Sequence, residues 1–192
     1  MAQSRNDYLT PNDVLDTIYQ YYPKGVYFFD NKYLETTEYK QKMIKCTDVS
    51  THDTFVNMAT FFIEKFNSEN VDFFTPTSLG PSYIYRIKIS QSHNKYTTLV
   101  ICMSILIKKY SAYTSTIDFG KAGKPTKIQM INNSEELTAI NPLVLNALNS
   151  YFPSYEILPQ DQLFLEIPDI YSTKNAQERA TVFDCLFSDH RW

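Results

Sequence analysis

Two apolar runs joined by a short polar loop constrain this chain more than any other feature. Tyr83 to Ser90 alternates, with Tyr83, Tyr85, Ile87 and Ile89 on one side and Arg86, Lys88 and Ser90 on the other; only Ile84 breaks the pattern. A period of two sends successive side chains to opposite faces, so this run predicts a strand with one face buried. Thr97 to Ile107 is apolar at nearly every position, through Leu99, Val100, Ile101, Cys102, Met103, Ile105, Leu106 and Ile107. Continuity of that kind predicts a central strand covered on both faces. Gln91, Ser92, His93, Asn94 and Lys95 have the length and polarity of a hairpin loop. An antiparallel sheet is therefore the expected scaffold.

Further strands are expected at Val71 to Phe74, Tyr113 to Phe119 and Thr126 to Ile131, with the Gly120 to Pro125 loop joining the last two, and a final one at Leu163 to Ile167. The aromatic run Gly25 to Phe29 reads as an edge strand or an extended segment. Helices surround these strands. Thr10, Pro11 and Asp13 give an N-cap, a proline at the first helical position and an acidic first turn, after which Val14, Leu15, Ile18, Tyr19 and Tyr22 recur at helical spacing. A second helix is expected from Glu35 to about Lys45. A third, capped by Ser50 or Thr51, carries Phe55, Met58, Ala59, Phe62, Ile63 and Phe66 as a wide apolar stripe and should lie against the sheet. Glu135 and Glu136 after Ser134 read as the first turn of a helix, and Asn141 with Pro142 opens another one that ends before Pro153. The last helix is expected from Asn175 to about Phe187, with β-branched Thr181 and Val182 able to make its end extended. With 192 residues, 43% of them hydrophobic and no low-complexity linker, the chain predicts a single α+β domain over 1–192, an antiparallel meander of about four to six strands with helices packed on it.

Charge and motif content narrow the function by exclusion. A net charge of -3 lacks the basic balance that phosphate contacts favour, so no nucleic acid is expected as a ligand. The longest apolar run is too short to span a bilayer and the N-terminus lacks an apolar leader, so no membrane partner and a cytoplasmic location are expected. Cys46, Cys102 and Cys185 are scattered, which fits reduced thiols. Neither their spacing nor that of the three histidines matches a zinc-binding pattern, and there is no nucleophile elbow or phosphate-binding loop; the expectation is no metal, no cofactor and no catalytic residue. Asp184, Cys185, Asp189 and His190 gather an acid, a thiol and an imidazole near the C-terminus. The simpler reading of that cluster is a core cysteine beside a solvated end.

Several segments together carry a resemblance: Tyr22-Pro23-Lys24-Gly25, Tyr33 to Lys40, Val100 to Ser104, and Val182 to Ser188. In these the chain resembles small immunity-type proteins encoded beside polymorphic toxins in bacteria. The resemblance implies a protein that binds a cognate toxin and blocks its active site, and it carries over no catalytic residue. A binding surface for such a partner is expected at the C-terminal end, with Asp184, Asp189, His190 and Trp192, joined by Glu35 and Glu38. Two other readings stay open. Helices followed by a curved meander are similar to the cone-shaped nuclear transport factor 2 family, in which the Tyr83, Tyr85, Ile87 and Ile89 face would line a small-ligand pocket. An adaptor subunit pairing through a sheet edge or a tyrosine face is the other.

Overall fold

The computed structural model describes residues 11–48, 50, 52–77, 80–118, 125–172 and 178–187. Five strands follow one another across the main sheet, each antiparallel to the next: β1 (Val71–Phe74), β2 (Ser82–Gln91), β3 (Lys95–Ser104), β4 (Lys109–Asp118) and β5 (Pro125–Ile131). A two-residue strand, β6 (Glu156–Ile157), pairs in parallel with Lys109 and Tyr110, extending the sheet beyond the end of β5. The expected hairpin is present, with Tyr85 opposite Ile101 and Ile87 opposite Leu99, and a bulge between Lys88 and Ser90. Beyond Ser104 the chain leaves the ladder, so Ile105, Leu106 and Ile107 lie in a bend and not in the strand.

Alternation along β2 sends Tyr83, Tyr85 and Ile87 to one face, where Leu99, Ile101, Met103, Tyr110, Ala112 and Ile131 join them. The helix α3 (His52–Phe66) covers this face with Phe55, Met58, Ala59 and Phe62, all buried as its apolar stripe requires. Beside it lie α4 (Ser134–Ile140), contributing Leu137, and α5 (Pro142–Tyr151), contributing Val144, Ala147 and Leu148. Asn141 caps α5 by accepting from the Leu143 and Val144 N–H groups, with Pro142 supplying the fixed first φ.

The opposite face is also covered, over half its length. Ile84, the residue out of pattern on β2, packs there with Val100, Cys102 and Tyr113. Val14 and Ile18 of α1 (Pro11–Tyr21) close over them; the Thr10 cap lies outside the described residues. The chain's C-terminal part completes this layer. A short helix α6 (Gln160–Leu163) precedes β7 (Glu166–Tyr171), which pairs with β8 (Arg179–Thr181), and the chain turns directly into α7 (Val182–Leu186). Strand was expected over Leu163 to Ile167; Pro159 instead leads into the α6 turn, and the strand starts three residues later than expected, at Glu166. Of the helix expected from Asn175 to about Phe187, Asn175, Ala176 and Gln177 lie outside the described residues, Arg179–Thr181 is strand, and Val182–Leu186 is the helix. Thr181 is extended and caps it, with a side chain that accepts from Asp184 N–H while Asp184 Oδ2 accepts from Thr181 N–H, a reciprocal capping box.

On the far side of α1 lies α2 (Thr37–Thr47), capped by the Thr36 hydroxyl. No strand forms at Gly25 to Phe29. Gly25 adopts φ +71 and its N–H donates to the Asp169 carbonyl at 2.8 Å, and Asp30 N–H closes a turn onto Tyr27 O. The rings point to different neighbours: Tyr27 stacks on Tyr171 at 4.0 Å, and Phe28 meets Tyr33 edge-on at 5.1 Å and Phe29 at 5.3 Å.

Candidate functional site

Registers across the sheet locate the surface left open. On the second face one cross-strand row reads Arg86, Val100, Tyr113 and Met130, and the next reads Lys88, Thr98, Ser115 and Ile128. The helices stop at the first row, where Val100 and Tyr113 are buried. In the second row Lys88, Thr98 and Ser115 are half-buried and Ile128 is 41% exposed. The uncovered half of this face is therefore polar at β2 and β3 and apolar at β5.

At the apolar end, Ile128 and Met130 of β5 face Phe164, Phe183, Gln160, Thr181 and Asp184 across an open cleft of about 420 Å³. Phe164, just past α6, stacks near Phe183 at 6.2 Å and remains 49% exposed, with Leu165 beside it at 44%. Burying apolar surface would lower the free energy by roughly 25 cal/mol per Å², so a cluster left this open is a place where a partner gains. A second hollow adjoins it on the other side of Phe164, lined by Asn132, Pro159, Gln160 and Asp161. The Gln160 N–H donates to Asn132 Oδ1 at 3.1 Å and ties α6 to the end of β5. At the polar end of the face, Glu69, Asn70, Asp72, Arg86, Lys88, Gln91, Tyr96 and Thr98 enclose a hollow of about 320 Å³ in which charges of both signs alternate.

Of the surface expected from the sequence, Asp184 lines the apolar cleft, where its carboxylate also accepts from the Thr181 hydroxyl at 2.8 Å. Glu35 is exposed at the end of the 3-10 turn Asn31–Glu35, and Glu38 is half-buried in the first turn of α2; neither lines the cleft. Asp189, His190 and Trp192 lie outside the described residues. The tyrosine face is core: Tyr83 stacks on Phe55 at 3.9 Å, and Tyr85 is fully buried with its hydroxyl donating to Phe55 O at 3.0 Å. Aromatic side chains thus occupy the place where a cone-type pocket would open. Sequence reasoning missed Ile128, Met130, Phe164 and Phe183 as neighbours. Their only local signals were the spacing of Ile128 and Met130 and the adjacent apolar pair Phe164 and Leu165.

One buried charge stands apart from these surfaces. Lys42 of α2 is fully buried, and its Nζ has no hydrogen-bond partner among the described residues. Three tyrosine rings enclose the amine, with centres 4.4 Å away at Tyr22, 5.4 Å at Tyr39 and 5.9 Å at Tyr33. Burial lowers its pKa to about 8, against the opposing pull of the Cys46 and Cys185 thiols. Burial likewise pushes the Cys185 thiol well above its usual range and raises the Tyr33 hydroxyl.

Cys46 is half-buried and Cys102 and Cys185 are buried, and no two of them form a disulfide. Among the described residues no group of three His, Cys, Asp or Glu side chains could hold a metal ion, and no helix is long and apolar enough to cross a membrane. No protein-family model matches the chain, no curated protein matches it significantly, and no solved structure matches it significantly.

Proposed function

We propose that this chain is an immunity-type binding protein that neutralises a cognate bacterial toxin in the cytoplasm by direct contact. The observation that carries this reading is the uncovered half of the sheet's second face, which ends in an exposed apolar cleft at Ile128, Phe164 and Leu165 with Asp184 inside it. An inhibitor needs a rigid scaffold and a patch that gains from losing water. Here a five-strand meander holds rows of side chains at fixed register, and the cleft supplies the apolar centre. Acids at its margin favour a basic partner surface of the kind toxins that act on phosphate-bearing substrates present.

A small-ligand reading has one observation in its favour. The cleft's 420 Å³ falls within the size range of ligand sites, with Gln160, Thr181 and Asp184 as polar anchors among apolar walls. Co-expression with any toxin-like open reading frame found beside this chain's gene separates the two. Restored growth and a complex that co-elutes on size exclusion are expected; no rescue and no complex would leave the ligand reading in its place.

A further inference from the structure

The strand β5 forms one border of the main sheet, and among the described residues no strand pairs with its outer edge. Thr126, Lys127, Ile128 and Gln129 are all exposed. Sheet edges present unpaired N–H and C=O groups to any extended chain, and proteins commonly blunt them with proline, charge or a cover. Pro125 blocks only the start of this one. Lys127 alternates to the face opposite Ile128 and Met130, so the side of β5 that borders the cleft carries no charge of its own. The edge therefore runs along an apolar trough. Phe164 stands between two hollows, of about 420 Å³ and 630 Å³, and each holds an acid: Asp184 in the first and Asp161 in the second.

We propose that this edge takes up an extended, basic segment of the protein partner as an additional antiparallel or parallel strand. Its backbone pairs with β5, one large apolar side chain enters the cleft between Ile128, Met130, Phe164 and Phe183, and its lysine or arginine side chains face Asp184 and Asp161. Backbone pairing supplies affinity and the alternate side chains supply selectivity, as in strand addition generally. The first hollow exceeds the volume of any one side chain, and the acids at both hollows select for positive charge. The inference rests on the partner-binding reading above and names the segment that such a partner would insert.

The test titrates the full chain, labelled with nitrogen-15, with a blocked heptapeptide Thr-Lys-Thr-Phe-Thr-Lys-Thr, in which both lysines share the strand face of the phenylalanine. Three control peptides accompany it: one with Glu in place of Lys, one N-methylated at every internal backbone nitrogen, and one of scrambled order. The amides of residues 126–131 and 160–165 are expected to shift with the basic peptide and not with the other three. Phe164→Ser, an exposed change that leaves both cores intact, is expected to weaken binding by about tenfold. Asp184→Asn keeps an acceptor for the Thr181 cap and should reduce the salt dependence of binding. Equal binding of the acidic or N-methylated peptide, or shifts confined to other elements, would overturn the proposal. So would a concentration-dependent dimer broken by Ile128→Lys, since the edge would then belong to a second copy. Peptide binding without toxin rescue removes the toxin and keeps the edge site; toxin rescue that Phe164→Ser leaves unchanged, with no peptide binding, removes the edge site and keeps the toxin.

Discussion

The Nζ of Lys42 lies 4.4 Å from the ring centre of Tyr22, whose own hydroxyl donates to the Cys185 carbonyl at 2.7 Å. An ammonium here has left water and gained only ring faces. Cation–π contact with desolvated rings is worth about 2 kcal/mol, while lowering the amine pKa from 10.5 to about 8 corresponds to about 3 kcal/mol against folding. A shift of that size is already net of the ring contacts, so Lys42→Met, close in volume and without charge, should stabilise the chain by up to about 3 kcal/mol at pH 7, read as a shift of the denaturant midpoint.

The same site predicts a pH signature. Between pH 8 and 10.5 the unfolded lysine still holds its proton while the folded one has released it, so the unfolded state binds more protons and stability rises with pH. The penalty is complete below pH 8. Tyr22, Tyr33, Tyr39, Cys46 and Cys185 face this amine, and burial raises both thiols, whose contribution to stability falls as pH rises above their unfolded values. These groups are common to wild type and Lys42→Met. The stability gap between the two should therefore shrink from pH 7.5 to pH 10; a constant gap would place the charge elsewhere.

Two isoleucines in one sheet should respond oppositely to the same change. Ile101 is fully buried at the centre of β3, so Ile101→Asp should abolish folding, an unpaired buried charge costing several kcal/mol against a total of about 5 to 15. Ile128 on β5 is 41% exposed, and Ile128→Asp should keep a cooperative melt with a loss under about 1 kcal/mol. Circular dichroism melts of both variants check the contrast.

Thiol labelling should follow burial. Cys46 is half-buried, its Sγ 3.5 Å from the Thr77 carbonyl, and burial raises its pKa; Cys102 and Cys185 are buried in the core. A native sample should take up one equivalent of alkylating reagent slowly, at Cys46, and three after unfolding. Fast labelling of all three would contradict this packing.

Asn141 accepts from two N–H groups at the start of α5, the helix that carries Val144, Ala147 and Leu148 into the first core. Asn141→Ala should cost about 1 kcal/mol, and Asn141→Ser should recover most of it, measured by denaturant unfolding.

The hairpin, α3 and the α5 cap were legible because each is long or chemically marked: eight residues of near-alternation from Tyr83 to Ser90, a wide stripe, an Asn-Pro pair. The second face was legible only as Ile84, a residue out of pattern, since its cover comes from distant segments. β8 and α7 span three and five residues, too few for a period to show, and the Thr181 to Asp184 box that divides them reads equally as the interior of one helix. At Gly25 to Phe29 four consecutive apolar side chains mimicked a strand, although Tyr27 and Phe28 reach different distant rings and the backbone turns. Asp184 was legible as an acid near an end. The walls of its cleft were not, because Ile128 and Phe164 become neighbours only once the sheet order is known.

Tyr22 and Cys185 are 163 residues apart, and the layer they join is built from α1 at one end of the described chain and α7 at the other. During synthesis the first core, closed by α5, can form while the ribosome still holds the remainder, since domains assemble as their residues emerge. The second face then stays incompletely covered at Ile84, Val100, Cys102 and Tyr113 until Val182–Leu186 has emerged. Nascent chains arrested before Val182 should accordingly be cut by protease within α1 and bind a hydrophobic dye, while the full chain resists both; equal resistance would show that the layer closes without its last helix. Any tag that delays α7 from docking would prolong that exposed interval.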